Sequence, residues 1–377
     1  MKPRLKSLTC LAGDGALLVS LDPRTRVELA DPTGQVLALL RLLREGRRTA
    51  PELREALAVD RPAVAQQDVD EALEALDDLG WLEDAAAPAL ITDYQRERYS
   101  SNLAFFDVFT TLDRPREAFQ RRLLQAHVVL LGAGGLGSSV LQNLAGLGVG
   151  RVTLVDFDRV ELKNLARQFT YTEAQVGLPK VEQVAAWVRA FNAQMSVTPL
   201  DARIDTPADL CPLLGDADLV VSAIDQPEGI DLVVNEACVP AGVPFIRGGL
   251  AYAQGVYWSV DPGRSPCRLC LETYRAARRR DVDAVLEEWP TVLRAERPNR
   301  GTGPVAQLLG ALVAMEAVRY LTGLTAPVSA GTYQLVDFSG ACTISDDPWP
   351  ADPGCPLCAA ARTRGPARVE AARVEAA

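Results

Sequence analysis

A single stretch, residues 126–180, restricts this chain to very few architectures. His127-Val-Val-Leu-Leu131 is a short β-branched and aliphatic run of buried-strand character. It empties into Gly132-Ala-Gly-Gly-Leu-Gly137, and Ser138 to Ala145 then keeps helical spacing. A second apolar run, Val152-Thr-Leu-Val155, ends on Asp156-Phe-Asp158. Strand, glycine turn, helix, strand and acid compose a βαβ nucleotide-binding unit. Gly132 permits the tight turn, Gly134 lets phosphate approach the backbone, and Gly137 lets helix pack on sheet. Asp156 closes the second strand, where a carboxylate can accept from ribose hydroxyls.

The glycines alone fit a nicotinamide dehydrogenase equally well. The polar residues downstream of them are more selective. Asn164, Arg167, Gln168 and Lys180 come within one loop and helix start, and Ala223-Ile-Asp225 closes a later strand. One polyphosphate needs a ribose acceptor, two cations for its charge and a carboxylate for Mg²⁺. Arg167 and Lys180 are the expected cations and Asp225 the expected magnesium ligand, these three being the catalytic set. Gly132, Gly134, Gly135, Gly137, Asp156, Asp158, Asn164 and Gln168 are the expected nucleotide contacts. For Arg167 or Lys180 singly, a surface ion pair is the plainer account; their joint spacing outweighs it.

Gly-Ala-Gly-Gly-Leu-Gly, Asp-Phe-Asp-x-Val-x-x-x-Asn-Leu-x-Arg-Gln and Val-Gly-x-Pro-Lys together resemble the ubiquitin-activating-type adenylyltransferases, the ThiF/HesA/MoeB-like family. The similarity covers roughly residues 92–360. It implies adenylation of a C-terminal carboxylate with ATP, on a sulfur carrier or a microcin-type peptide, by a homodimer. In that family an arginine motif near the start of the domain reaches the ATP phosphates of the partner protomer. Here Asp93 to Asn102 occupies its place; Arg98 matches its first arginine, and Ser101 stands where the second belongs. Arg96 or Arg98 would have to substitute.

At 377 residues there is room for two domains and a large core. A net charge of −10 argues against general nucleic-acid binding and against docking on anionic membrane. No apolar run reaches bilayer length; the nearest, Val305 to Met315, contains Gln307 and reads as a core helix. The basic start is followed too soon by Asp14 for a signal peptide, so a cytoplasmic location is expected.

Residues 1–90 read as a small winged-helix α+β domain. Residues 7–30 alternate and turn at Gly13-Asp-Gly15 and Asp22-Pro-Arg24, a three-stranded meander. Gln35 to Arg44 comes next as a helix. Thr49-Ala-Pro-Glu52 is a capping box for a second, Pro51 to Ala58. Asp68 to Leu79 is a third helix, with Val69, Leu73, Leu76 and Leu79 on one face and Gly80 as its stop. Asp68, Asp70, Glu71, Glu74, Asp77 and Asp78 give that helix six acids and no base, which phosphates would repel. A dimerisation or packing module is the bland alternative. The domain also resembles the peptide-recognition element fused to enzymes of ribosomal-peptide modification. That resemblance implies a precursor's leader peptide added as a strand beside the third strand, packed on the third helix.

Ala85 to Ala89 is a linker, and residues 92–360 are expected to form the adenylation domain. Its fold class is α/β: a Rossmann-like, mostly parallel sheet with an antiparallel extension beginning at Tyr252 to Val260. The remaining strands are expected at Val197 to Asp201, Asp218 to Asp225, Pro244 to Arg247 and Tyr333 to Phe338. Helices are expected at Val181 to Phe191, Ile230 to Ala241 and within Gly301 to Leu321. The tail, 361–377, is expected to be flexible.

Cys267-Arg-Leu-Cys270 and Cys355-Pro-Leu-Cys358 are two Cys-x-x-Cys knuckles, which aim four thiolates at one structural zinc with no open position. The family carries the same pair. Cys10, Cys211, Cys238 and Cys342 are isolated and expected in the core. Leu271 to Gly303 is expected to be the loop crossing the active site; it holds no cysteine, which argues against a thioester carried there. His127, the only histidine, begins a buried strand, so histidine acid–base or hydride chemistry is disfavoured.

The leading expectation is therefore ATP-dependent adenylation of a precursor peptide or small carrier protein, without nucleic acid or membrane. A sulfur-carrier adenylyltransferase is the nearest alternative. A non-catalytic partner presenting a leader to a cyclodehydratase is another, favoured only by Ser101.

Overall fold

The structure, a computed structural model, describes residues 1–22, 25–286 and 301–363. It divides into two compact units, Met1–Arg121 and Arg122–Ala377.

The first unit begins with β1 (Pro3–Leu5). A meander comes next, of β2 (Thr9–Ala12), β3 (Ala16–Asp22) and β4 (Thr25–Ala30), antiparallel in the order β2-β3-β4. In β3 the period of two places Leu17 and Val19 in the core. The outer edge of β4 has no strand beside it among the described residues. Helices α1 (Gln35–Glu45), α2 (Ala50–Ala58) and α3 (Gln66–Asp78) complete the helical part. Glu52 caps α2 by accepting from the Thr49 amide at 2.7 Å and the Thr49 hydroxyl at 3.0 Å. Val69, Leu73 and Leu76 of α3 are buried against the helices and sheet, but Leu79 is not. It falls at the C-cap, where Gly80 turns left-handed (φ 70°) and carries it out of the helical stripe to 40% exposure.

A fifth strand, β5 (Leu82–Asp84), has no counterpart among the expected elements; it pairs antiparallel with β1 and is only three residues long. Two short helices, α4 (Asp93–Arg98) and α5 (Ser100–Phe106), lie beyond it, and α6 (Arg116–Gln125) carries the chain into the second unit. The compact boundary thus lies about thirty residues beyond the expected one, and particular hydrogen bonds explain this. Buried Lys6 donates to Gly80 O (2.7 Å), Asp107 O (2.8 Å) and Thr110 O (3.0 Å), and the Leu112 amide donates to Asp77 (2.9 Å). Asp77 is therefore spent on Leu112, leaving five of the six acids of α3 exposed to water.

The second unit is an eight-stranded sheet. Its parallel part comprises β6 (His127–Leu131), β7 (Arg151–Val155), β8 (Ser196–Leu200), β9 (Leu219–Ser222) and the start of β10 (Phe245–Ala251). β10 runs on past the expected Arg247 to form a hairpin with β11 (Gln254–Val260). β12 (Thr332–Asp337) and the unexpected edge strand β13 (Ile344–Pro348) complete the antiparallel extension. The order is β13-β12-β11-β10-β9-β6-β7-β8. β13 is exposed along its whole length, so no burial pattern marks it in the sequence.

α7 (Gly135–Leu147), α8 (Lys180–Phe191), the one-turn α9 (Pro207–Leu210) and α10 (Ile230–Ala241) connect the parallel strands. α11 (Arg268–Leu286) turns the first half of the expected crossing loop into helix; residues 287–300 lie outside the described ones. α12 (Gly303–Thr322) has the length and apolarity of a membrane span, more than the expected core helix suggests. Its burial against α7 makes it a core helix all the same: a Cβ on Gly310 would stand 2.3 Å from Ser139 Oγ. α13 (Pro356–Thr363) makes the first residues of the expected tail helical; 364–377 lie outside the description.

Candidate active site

β6 lies between β7 and β9, so the chain leaves the sheet's centre in one direction, returns, and leaves in the other. Loops diverge at this switch point and open a crevice at the strands' carboxyl ends. A cavity of about 520 Å³ fills it. Gly132, Gly134, Gly135, Asp156, Asp158, Asn164, Arg167, Gln168, Lys180 and Asp225 all line it. Among the expected ATP contacts Gly137 alone does not. It packs instead on the turn it follows, where a Cβ would lie 1.9 Å from Gly132 O. Gly132 is equally constrained, with φ +99° and Ala223 O only 2.9 Å from a would-be Cβ. Gly134 differs: its would-be Cβ meets only Gln168 Nε2, at 3.9 Å, so its bare face looks into open cavity.

Asp156 is buried, and both its oxygens already accept backbone donors. Oδ2 takes the Ala133 amide (2.6 Å) and Oδ1 the Asp158 amide (2.7 Å). The carboxylate therefore braces the glycine turn before any ribose arrives, with a lone pair left on each oxygen. Tyr171 braces the same turn by donating to Ala133 O at 2.7 Å. Burial, then the nearby Asp156 and Asp158, push its phenol well above the usual range, so it stays a donor.

Lys180 opens α8 and is 3% exposed; its ammonium meets Asp158 Oδ2 at 2.7 Å. Arg167 is half-buried, donates only to Lys163 O (3.4 Å), and has no carboxylate partner among the described residues. It is the cation most open to a phosphate. Asn164 spends Oδ1 on the Glu161 amide (2.9 Å). Gln168 is 2% exposed and its Oε1 has no partner among the described residues, a buried acceptor at the cavity wall that lacks a donor.

The strand expected to end at Asp225 stops at Ser222; the Ala223 amide still donates to Leu131 O (2.8 Å), and Ala223 to Asp225 then line the cavity. Asp225 is 81% exposed, and its Oδ1 accepts from Arg247 Nη2 at 2.7 Å. Arg247 is a site residue that the sequence motifs do not point to. It is 12% exposed, sits in β10, and also donates from Nε to Asp231 at 2.8 Å. Burial opposes its charge, but Asp231 and Asp225 prevail and raise its pKa. The available sequence signal is a charge inside an apolar strand, Pro244-Phe-Ile-Arg247. Phe157, with Arg203 stacked 4.5 Å over its ring, is a second addition to the expected set. Both residues line the cavity.

The cysteine knuckles meet. Cys267, Cys270, Cys355 and Cys358 are buried, with all four Sγ atoms within 4.8 Å of one another. The Cys267–Cys270 separation is 3.9 Å, while Cys267–Cys355 and Cys270–Cys358 are 3.6 Å. Tetrahedral zinc with sulfur at about 2.3 Å requires edges of about 3.8 Å. The separations fit that and exceed a disulfide bond of about 2.05 Å. Hydrogen bonding from the Cys358 thiol lowers the Cys267 pKa against the opposing effect of burial. The other expectations for cysteine divide. Cys238 is buried and Cys10 half-buried, but Cys211 and Cys342 are exposed, the first in a short helical turn and the second at a turn with φ 55°. Isolation in the sequence does not tell a core thiol from one on a turn.

A braced glycine turn with lysine, arginine and carboxylate side chains around one crevice defines an α/β enzyme built for nucleotidyl transfer. The chain belongs to the ThiF family, which matches residues 99–356. It is 32% identical over 241 residues to the molybdopterin-synthase adenylyltransferase of Escherichia coli, covering 63% of this chain and 89% of that one. It is 36% identical over 177 residues to the SAMP-activating enzyme E1 of Haloferax volcanii, covering 47% of this chain but only 62% of that one. It is accordingly an adenylyltransferase of the ThiF and molybdopterin-synthase kind. In fold it is similar to E. coli MccB solved with AMPCPP and MccA, with a TM-score of 0.71 at 21% identity over 95% of this chain and 100% of MccB.

Proposed function

We propose that the enzyme adenylates a carboxylate of a ribosomally made precursor peptide, whose leader is held by residues 1–90. The observation that carries the catalytic half is the convergence of Asp156, Arg167, Lys180 and Asp225 on one cavity at the switch point. Asp156 accepts from the ribose, and the bare face of Gly134 leaves room for the phosphates. Arg167 and Lys180 neutralise phosphate charge as a carboxylate oxygen attacks the α-phosphorus. The bond to the β-phosphate breaks and pyrophosphate leaves, giving an acyl-adenylate. Asp225 has one oxygen committed to Arg247 and one free, which suits a single carboxylate contact to Mg²⁺. When bound, that ion draws charge from the departing pyrophosphate. Positioning and electrostatics suffice; no acid–base residue is required.

The peptide half is supported by the open edge of β4 and by the five exposed acids of α3, a surface suited to an added strand and unsuited to nucleic acid. Coverage of the whole of MccB, solved with the peptide MccA, points the same way. The four cysteines fit a structural zinc. A homodimer and a cytoplasmic setting belong to the same reading. ATP–pyrophosphate exchange that depends on a short peptide tests it. A sulfur-carrier substrate is the second reading, favoured by the molybdopterin-synthase relative; exchange with carrier proteins but with no peptide would select it. Exchange with neither would leave a leader-presenting partner.

A further inference from the structure

Asp225 is mostly exposed and lies beyond a strand that has already ended, so little about its own backbone fixes where its carboxylate points. What fixes it is one guanidinium. Arg247 spends three nitrogens on three acceptors: Nη2 on Asp225 Oδ1 (2.7 Å), Nε on Asp231 Oδ1 (2.8 Å) and Nη1 on Gly248 O. Asp231 stands in the first turn of α10, so the guanidinium is tied to a packed helix as well as to its own strand. Behind it, Arg268 approaches Asp231 Oδ2 at 3.6 Å and pairs with Glu272. Arg268 lies between Cys267 and Cys270, and its amide donates to buried Asn235 Oδ1 at 2.8 Å. A line of alternating charge therefore runs from the cysteine knuckle to the cavity's edge. Three carboxylates and two guanidiniums leave one net negative charge, and the most exposed carboxylate, Asp225, is at the open end.

We propose that Arg247 is a positioning residue that holds Asp225 Oδ1 so that Oδ2 faces a divalent cation in the cavity. This rests on the assignment of Asp225 to Mg²⁺ made above. The role needs arginine. A planar fork can serve Asp225 and Asp231 at fixed angles, whereas a lysine ammonium keeps the charge and loses the geometry. Arg247 touches no reacting atom; it acts through Asp225.

The test is calorimetry of ATP binding to the full chain across a Mg²⁺ titration, with thermal melts as the check on folding. Wild type, Arg247→Lys, Asp225→Asn and the double variant are compared. In Arg247→Lys, ATP affinity without metal should stay within about twofold of wild type, while the Mg²⁺ needed for half-maximal enhancement rises by roughly tenfold or more. Asp225→Asn should abolish the enhancement, and adding Arg247→Lys to it should change nothing further. Unchanged Mg²⁺ dependence in Arg247→Lys would overturn the positioning role alone. Equal loss of affinity with and without Mg²⁺ would also overturn it, because Arg247 would then serve the nucleotide or the fold directly. Wild type binding ATP without any Mg²⁺ enhancement would overturn the assignment of Asp225 itself.

Discussion

The Lys180–Asp158 pair should separate stability from catalysis in opposite directions. At 2.7 Å, with an effective dielectric near 20, the attraction is about 6 kcal/mol before desolvation is counted. Exposure then breaks the symmetry: the lysine side chain is 4% exposed and the aspartate 48%. Lys180→Met leaves a carboxylate that water can re-solvate and replaces the alkyl stem, so the fold should lose about 1 kcal/mol. Asp158→Asn leaves a buried ammonium without a counter-charge, and the loss should be about 3 kcal/mol. Catalysis reverses the order. Lys180→Met removes the cation proposed to neutralise phosphate and should lower turnover roughly a hundredfold to a thousandfold, the worth of one preorganised donor. Asp158→Asn keeps the ammonium in its place and should cost about tenfold or less by the same comparison. Urea unfolding followed by tryptophan fluorescence, with pyrophosphate release at saturating ATP, measures both. The reasoning fails if Lys180→Met is the less stable variant, or if it keeps turnover within about fivefold of wild type.

The same geometry predicts other outcomes. Metal analysis of unchelated protein should find one zinc per chain, and Cys267→Ser or Cys355→Ser should release it with a loss of several kcal/mol in stability; metal-free native protein would refute the fit. Gly132→Ala should unfold the turn, whereas Gly134→Ala should melt like wild type and bind ATP roughly tenfold more weakly; matching melts for the two would contradict the turn geometry. The full chain should bind a cognate leader peptide, and proline substitutions in the leader at positions pairing with β4 should weaken it, since proline removes ladder donors; salt-sensitive binding of duplex DNA would count against that surface.

The central βαβ unit and the polar residues that line its cavity are readable in the sequence because those residues obey local rules. A turn such as Gly132 demands glycine wherever it occurs, and an acid at a strand end needs no tertiary context to be noticed. The two Cys-x-x-Cys knuckles are legible for the same reason. Arg247 is hidden because its meaning depends on Asp225 and Asp231, which only the folded sheet brings within hydrogen-bond distance. Tyr171 is hidden likewise by a partner far away in sequence, Ala133. The boundary of the first unit falls later than composition suggests because one buried lysine, Lys6, gathers carbonyls from Gly80, Asp107 and Thr110. β13 cannot be found by burial, since all its residues are exposed.

The acids of this site are each engaged before a nucleotide is present, and that bears on how the enzyme could work without a general base. Asp156 is held by the Ala133 and Asp158 amides, Asp158 by Lys180, and Asp225 by Arg247. A carboxylate fixed in this way holds its partner cation or amides in place, so those donors do not have to reorganise as charge moves onto pyrophosphate. Among the described residues, Arg167 and Gln168 Oε1 are left without such engagement by a charged partner, and both residues line the cavity. On the proposed reading, the groups that are fixed frame the places of phosphate and metal, and the groups that are free are the ones a nucleotide has still to satisfy. Substitutions at Asp156 or Arg247 should therefore lower turnover through loss of order, and Arg167→Ala through loss of contact. Only the second kind should be partly restored by added guanidinium-type cations, because a small cation can replace a missing charge but cannot rebuild a braced loop.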